Sequence, residues 1–342
     1  MNGRLDGLTS MRAVAALMVV IFHFGCNVFP FNLQEHFFRR GNLAVSFFFV
    51  LSGFVMYWSY SNKTISYPEF IKRRIARIWP LYAFAILLAL SYYAYQYVCA
   101  GYTGQERLIT GILLNISLLQ AYIPGFALSV NSPGWSLSVE MFFYLLFPLF
   151  LLWVRRDARQ FARFAWVFFI VSQLLHIWMV YYWQPVYPSR LHEFVYYQPI
   201  FHLNQFMLGI VGAYYTTHRT IRNAGLYAVV ALILLVLFVN YMPSVVSLHN
   251  GLTAPLCVLL IISVAQMQRG LLFWKPFIFL GEISFGIYIL QEPIHLYSVA
   301  INDSLLHFAD LPFFYFYLLL LLFSAVVCYY IIELPARRFM LR

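Results

Sequence analysis

Residues 4–24 read RLDGLTSMRAVAALMVVIFHF. The stretch is mostly apolar, yet it carries Arg12 near its start and His23 well inside. The two are eleven positions apart. At about 100° per residue that is roughly 1100°, three turns plus about 20°, so both side chains share one face of a helix. The rise between them is about 16 Å, roughly half a bilayer core. Ionisable side chains at membrane depth are costly and therefore functional candidates. The ordinary alternative is an arginine that snorkels and a histidine bonded to a neighbouring helix. The pair alone does not separate the two.

Working outward, the chain has 342 residues, 63% hydrophobic and only 10% charged. A soluble domain carries roughly 25% charged residues. Several apolar runs of about 20 residues predict an all-α, polytopic membrane helical bundle, and β-barrel alternation is absent. A single domain over residues 1–342 is expected, with no room for a large soluble domain beside the bundle. Four cysteines, Cys26, Cys99, Cys257 and Cys328, show no CxxC or metal spacing. A Cys26–Cys99 disulfide is conceivable from position but not expected. The first apolar run has no small-residue cleavage site and reads as a retained signal anchor.

Ten spans are predicted: 12–30, 43–61, 78–99, 135–154, 161–183, 199–217, 223–241, 250–268, 277–300 and 312–332. With the N-terminus inside, the inner segments hold 17 Lys and Arg and the outer segments only Arg39, Arg40, Arg107 and Arg190. Arg4, Lys63, Arg155 and Arg342 are among the inner set. The positive-inside rule thus predicts both termini in the cytoplasm. It also accounts for the net charge of +10 without any nucleic acid. Residues 108–130, LITGILLNISLLQAYIPGFALSV, are apolar enough to cross. A crossing there would move the WVRRDAR end outside, so a re-entrant or interfacial piece broken by Pro124 and Gly125 is predicted instead.

Four further constellations stand out. In FIKRRIARIWP (70–80), Arg74 and Arg77 are i, i+3, so their guanidiniums can converge on a phosphate. Topology determination or anionic-lipid contact is the plainer explanation. In NSPGWSLSVE (131–140), Trp135 suits the outer interface and Glu140 lies one to two turns deeper. A carboxylate there needs a partner or a proton, and a structural role weighs equally with a functional one. FFFVLSGF (47–54) places small residues, Ser52 and Gly53, for close helix packing. GEISFGIYILQEP (281–293) puts Tyr288, Gln291 or Glu292, and His295 on one polar stripe, lining a cavity or joining helices. His176, His202, Asn204 and Gln205 read as packed, hydrogen-bonded residues. No metal spacing, GxGxxG or Walker sequence is present.

Together these motifs resemble the membrane-bound acyltransferase-3 family, whose members move acyl groups, commonly acetyl from acetyl-CoA, onto sugars of surface polysaccharides and other extracytoplasmic acceptors. The resemblance runs from RLDGL at Arg4 to ELPARR near the end. Its most specific elements are Arg12-x10-His23, FFFVLSGF, Arg74-x-x-Arg77 before Pro80, and WSLSVE (135–140). Three departures are visible. Thr9-Ser10-Met11 separate DGL from its arginine, Ala44-Val45-Ser46 replaces GVD, and Gln291 stands where the family often has histidine.

The resemblance implies an O-acyltransferase of the bacterial inner membrane. It makes His23 the general base and Arg12 and Glu140 its catalytic partners. Arg73, Arg74 and Arg77 would hold the CoA phosphates, and Trp135, Ser136 and Tyr288 would meet the acceptor. It implies acyl-CoA and a polysaccharide or lipid-linked glycan as partners besides membrane lipid, no nucleic acid, and no metal or permanently bound cofactor. Direct transfer and an acyl-protein intermediate both stay open. The competing expectation is a transporter or flippase of a lipid-linked saccharide or acyl donor.

Overall fold

The structure is a computed structural model that describes residues 5–100, 105–242 and 250–341, except the side chains at 95–100, 105 and 106. Arg4, Arg342 and the Cys99 side chain lie outside the described residues. In chain order the helices are α1 (Asp6–Phe24), α2 (Glu35–Phe38), α3 (Ala44–Tyr60), α4 (Tyr67–Ala100), α5 (Gln105–Ile116), α6 (Trp135–Trp183) and α7 (Arg190–Tyr197). They continue as α8 (Pro199–His218), α9 (Ala224–Tyr241), α10 (Ala254–Gln266), α11 (Lys275–Glu282), α12 (Ser284–Ile301), α13 (Asp310–Cys328) and α14 (Leu334–Met340). No strand occurs among the described residues.

The centre of the bundle is the crossing of α3 and α8, and backbone proximity makes it. A Cβ on Gly53 would lie 2.0 Å from the Phe206 carbonyl oxygen, and one on Gly209 would lie 2.0 Å from that of Val50. Only two glycines facing each other permit this approach, the small-residue packing that membrane helices use in place of a hydrophobic driving force. FFFVLSGF is thus first a packing motif. α6 covers α8 on one side, while α1, α10 and α12 close the other. The outward faces of α9, of the second half of α6 and of α13 expose large apolar side chains such as Val171, Ile233 and Phe323. That is the surface expected against lipid.

Each predicted span contains helix, though several boundaries differ. α1 ends at Phe24 rather than continuing to residue 30, because Gly25 and the turn leading to Pro30 interrupt it. α4 begins at Tyr67, thirteen residues before Pro80, so the arginine motif is the first part of the membrane helix itself. α6 merges two predicted spans across a bend at Asp157, whose Oδ1 accepts the Gln160 amide at 2.9 Å and caps the returning half. Among the described residues six helical segments are long and apolar enough to cross a membrane, with both halves of α6 counted together, or seven if bent α11–α12 counts as one. α10, with 13 residues, is short of the ~20 a crossing needs. α8 buries His202, Asn204 and Gln205 and is too polar to count by composition.

Arg155, just before the bend, donates to the carbonyls of Tyr60 (3.0 Å), Ser61 (3.0 Å) and Lys63 (2.7 Å), at and just beyond the C-terminus of α3. A cation is favourable at that helix end. It also fixes which end of the molecule holds Lys63 and Arg155.

No continuous helix runs through 108–130. α5 stops at Ile116, and the chain then turns, with Gly125 at φ +99°. Buried polar side chains pin this piece. Gln120 Nε2 donates to Tyr82 Oη (2.9 Å) and the Gly134 carbonyl (2.8 Å), and Ser138 Oγ donates to the Leu118 carbonyl (2.6 Å). Non-helical backbone at membrane depth is tolerated only when buried in protein in this way.

Candidate active site

Five helices contribute polar side chains to one cavity of about 300 Å³. Arg12 enters from α1, Arg77 from α4, Ser136 and Glu140 from α6, and Tyr288 from α12. Ser52 of α3 and Tyr144 of α6 join them, and Phe48, Phe49 and Phe285 form much of the apolar wall. Glu140 Oε1 accepts from Ser52 Oγ at 3.2 Å and from the Tyr144 hydroxyl. Tyr288 Oη donates to Ser136 Oγ at 2.9 Å, and Ser136 Oγ to the Pro133 carbonyl at 2.9 Å. Among the described residues no carboxylate lies within salt-bridge distance of Arg12 or Arg77. Two uncommitted guanidiniums beside an interior cavity make it a seat for an anion.

Arg77 also borders two other spaces. One, of about 260 Å³, has Arg12, Arg77 and Arg337 on its wall with Asp6, Glu282 and Glu333. The other is a groove of about 710 Å³ with Lys63, Arg73, Arg74, Arg77 and Arg337 against the single carboxylate of Glu69. The groove lies at the Lys63 end and is strongly cationic, so it suits a polyanion. Within it Arg73 is half exposed and paired with Glu69 at 2.8 Å. Arg74 is held in an aromatic cage. Its guanidinium lies 5.7 Å from the Tyr60 ring, 5.8 Å from Phe70 and 5.9 Å from Tyr144, and Nη2 donates to Tyr60 Oη at 3.2 Å. Its Nε–H is buried without a hydrogen-bond partner.

Arg12, Arg77, Glu140, Ser136 and Tyr288, all chosen from sequence, therefore meet in one cavity. Four others do not line it. Arg73 and Arg74 face the groove. Trp135 packs behind the wall, 4.8 Å from Tyr197 and 5.3 Å from His202, ring centre to ring centre. His23 sits one layer beyond, exposed, with Nδ1 2.9 Å from Gln291 Oε1. Gln291 Nε2 donates to the Tyr288 carbonyl at 2.6 Å, so its Oε1 faces the ring as an acceptor. The neutral imidazole then carries its proton on Nδ1 and keeps the Nε2 lone pair for other use. Tyr144 was missed in the sequence, although its i, i+4 relation to Glu140 is a usable signal. Ser52 was noted there only for packing. No group of three His, Cys, Asp or Glu suited to a metal occurs among the described residues.

Fold and site together define a helical membrane protein with an interior cavity at which guanidiniums, a carboxylate and hydroxyls converge. The chain belongs to the acyltransferase-3 family: the family model described as an acyltransferase domain matches residues 5–333. It is similar to acyltransferase MdmB of Streptomyces mycarofaciens, 37% identical over 160 residues, 45% of this chain and 41% of that protein. It is similar to protein 2 in the picA locus of Rhizobium radiobacter, 35% identical over 158 residues, 40% of this chain and 75% of that one. O-acetyltransferase OatA of Staphylococcus aureus is 30% identical over 155 residues, 42% of this chain and 24% of its own length. The chain thus aligns with less than half of MdmB and about a quarter of OatA. No solved structure matches it.

Proposed function

We propose that the chain is a membrane O-acyltransferase that moves an acyl group, acetyl by default, from cytoplasmic acetyl-CoA to a sugar hydroxyl of an extracytoplasmic or exported glycan. The observation that carries this is Arg77, which borders at once the cationic groove, the space beside Arg337 and the interior cavity of Glu140 and Tyr288. A donor with a polyanionic head and a thin reactive arm suits that sequence of spaces. Its phosphates would rest in the groove on Arg73, Arg74 and Arg77, and its arm would pass Arg77 and Arg12. Family membership supports the acyl chemistry. In this reading both termini are cytoplasmic, the chain crosses the bacterial inner membrane ten times as one domain, and no cofactor stays bound.

His23 is the general base. With Nδ1–H held by Gln291, Nε2 takes the proton of the acceptor hydroxyl as its oxygen attacks the thioester carbonyl. The C–S bond breaks, and the proton passes to the CoA thiolate. Glu140, fixed by Ser52 and Tyr144, and Arg12 set the field at the carbonyl. Ser136 and Tyr288 meet the acceptor from the α6 and α12 sides, and Trp135 supports that wall. The test is release of free CoA by purified protein given acetyl-CoA and a glycan acceptor, lost on His23→Ala with folding intact. Movement of a lipid-linked saccharide without CoA release would make the protein a transporter instead.

A further inference from the structure

A separate cavity of about 280 Å³ lies at the opposite end of the molecule from the cationic groove. Its position follows from α6. The bend beside Arg155 is held against residues 60–63, so the two ends of α6, Trp135 and Trp183, lie some 30–40 Å away at 1.5 Å per residue. The cavity walls come from the loops next to those ends: Gly125 and Ser129 on one side, Tyr187 and Ser189 on the other, with Arg107 and Glu193 between.

Its chemistry is specific. Arg107 Nη2 donates to the Gly125 carbonyl at 3.0 Å, and the guanidinium lies 5.7 Å from the Phe126 ring centre. Glu193 Oε2 accepts the amides of Gly125 (2.7 Å) and Ala127 (3.0 Å). Each charge is therefore partly compensated by its own fixed partners, yet no salt bridge joins Arg107 to Glu193. The remaining guanidinium N–H groups and carboxylate Oε1 are left for a ligand. Tyr187 is 63% exposed, with its ring edge-on to His192 at 5.2 Å. Guanidinium donors, a carboxylate acceptor, the Ser189 hydroxyl, which accepts only the His192 amide at 3.1 Å, and one open aromatic face suit a neutral polyol that also has an apolar C–H face. A zwitterion would leave the tyrosine face unused.

We propose that this cavity binds a sugar residue of a glycan chain, as a subsite apart from the one where acyl transfer occurs. The proposal rests on the glycan-acceptor reading above. The same loop serves both places. Ser129 lines this cavity and Ser136 the reaction cavity, seven residues on, so the two lie at most about 25 Å apart. An oligosaccharide held at Tyr187 is thereby kept near the reaction cavity, which raises its effective concentration there.

The test titrates the purified full chain, without acyl donor, with cellotetraose, maltotetraose and chitotetraose, and follows binding by native mass spectrometry. At least one should bind, Tyr187→Ala should weaken it tenfold or more, and Tyr187→Trp should retain it. Failure of all three sugars to bind the unaltered protein, or unchanged binding by Tyr187→Ala, overturns the proposal. Free CoA release from acetyl-CoA is measured in parallel. Tyr187-dependent binding without CoA release sinks the transferase reading and leaves the subsite standing. Sugar-dependent CoA release with an acceptor KM unmoved by Tyr187→Ala does the reverse.

Discussion

His23 on α1 and Gln291 on α12 are joined by a 2.9 Å contact between imidazole Nδ1 and amide Oε1. The amide is itself tethered through Nε2 to the Tyr288 carbonyl, and Tyr317 Oη donates to the Gln291 carbonyl at 3.1 Å. The glutamine thus ties the ring to the turn of α12 that forms the cavity wall. Gln291→Leu should lower kcat by about 10–100-fold, with the KM for acetyl-CoA unchanged, because the ring loses its fixed tautomer and not its donor seat. Gln291→His, which can still accept from Nδ1–H, should keep most of the activity. Steady-state kinetics on both variants checks the split.

Among the described residues, Arg12 and Arg77 face the interior cavity with no carboxylate at salt-bridge distance. Loss of one charge-assisted contact to a phosphate or developing oxyanion costs about 1.5–3 kcal/mol, a factor of about 10–150. Arg77→Ala should raise the KM for acetyl-CoA by that factor, and Arg12→Ala should act mainly on kcat. Calorimetric binding of CoA to each variant separates the two roles.

Glu140 is held by Ser52 and Tyr144, so Glu140→Gln keeps an acceptor in place and removes only the charge. Turnover should fall at least tenfold while thermal stability in detergent stays within a few degrees. Equal losses of both would make the carboxylate structural.

Gly53 meets the Phe206 carbonyl and Gly209 that of Val50, both at a notional Cβ distance of 2.0 Å. Gly53→Ala must push two backbones apart and should cost about 1–3 kcal/mol, seen as a lower melting temperature in detergent. Gly225→Ala on α9, with nothing within 4 Å, is the matched control and should be neutral or stabilising.

Five of the site residues were legible because helical spacing and motif order survive in the linear chain. Arg77, Glu140, Ser136 and Tyr288 each sit on a helix face turned toward α1. The depth of His23 relative to the cavity was not legible. It depends on how α12 seats against α1, and that is set by approaches such as Gly281 against the Thr9 carbonyl, 1.9 Å from a notional Cβ. The packing of Trp135 was not legible either, because its indole meets Tyr197 and His202, from a part of the chain sixty residues away. The bend at Asp157 was legible, because the charged run Arg155-Arg156-Asp157 separates two apolar runs and the helix breaks there, with Asp157 at φ −152°.

Pro80 stands well inside α4, and a proline ring carries no amide proton. The carbonyl it should have satisfied four residues earlier is that of Ala76, which borders the 260 Å³ space alongside Arg77. A main-chain carbonyl that loses its usual donor in this way would ask more of a visitor than negative charge. It favours a molecule that presents a hydrogen-bond donor beside its anion.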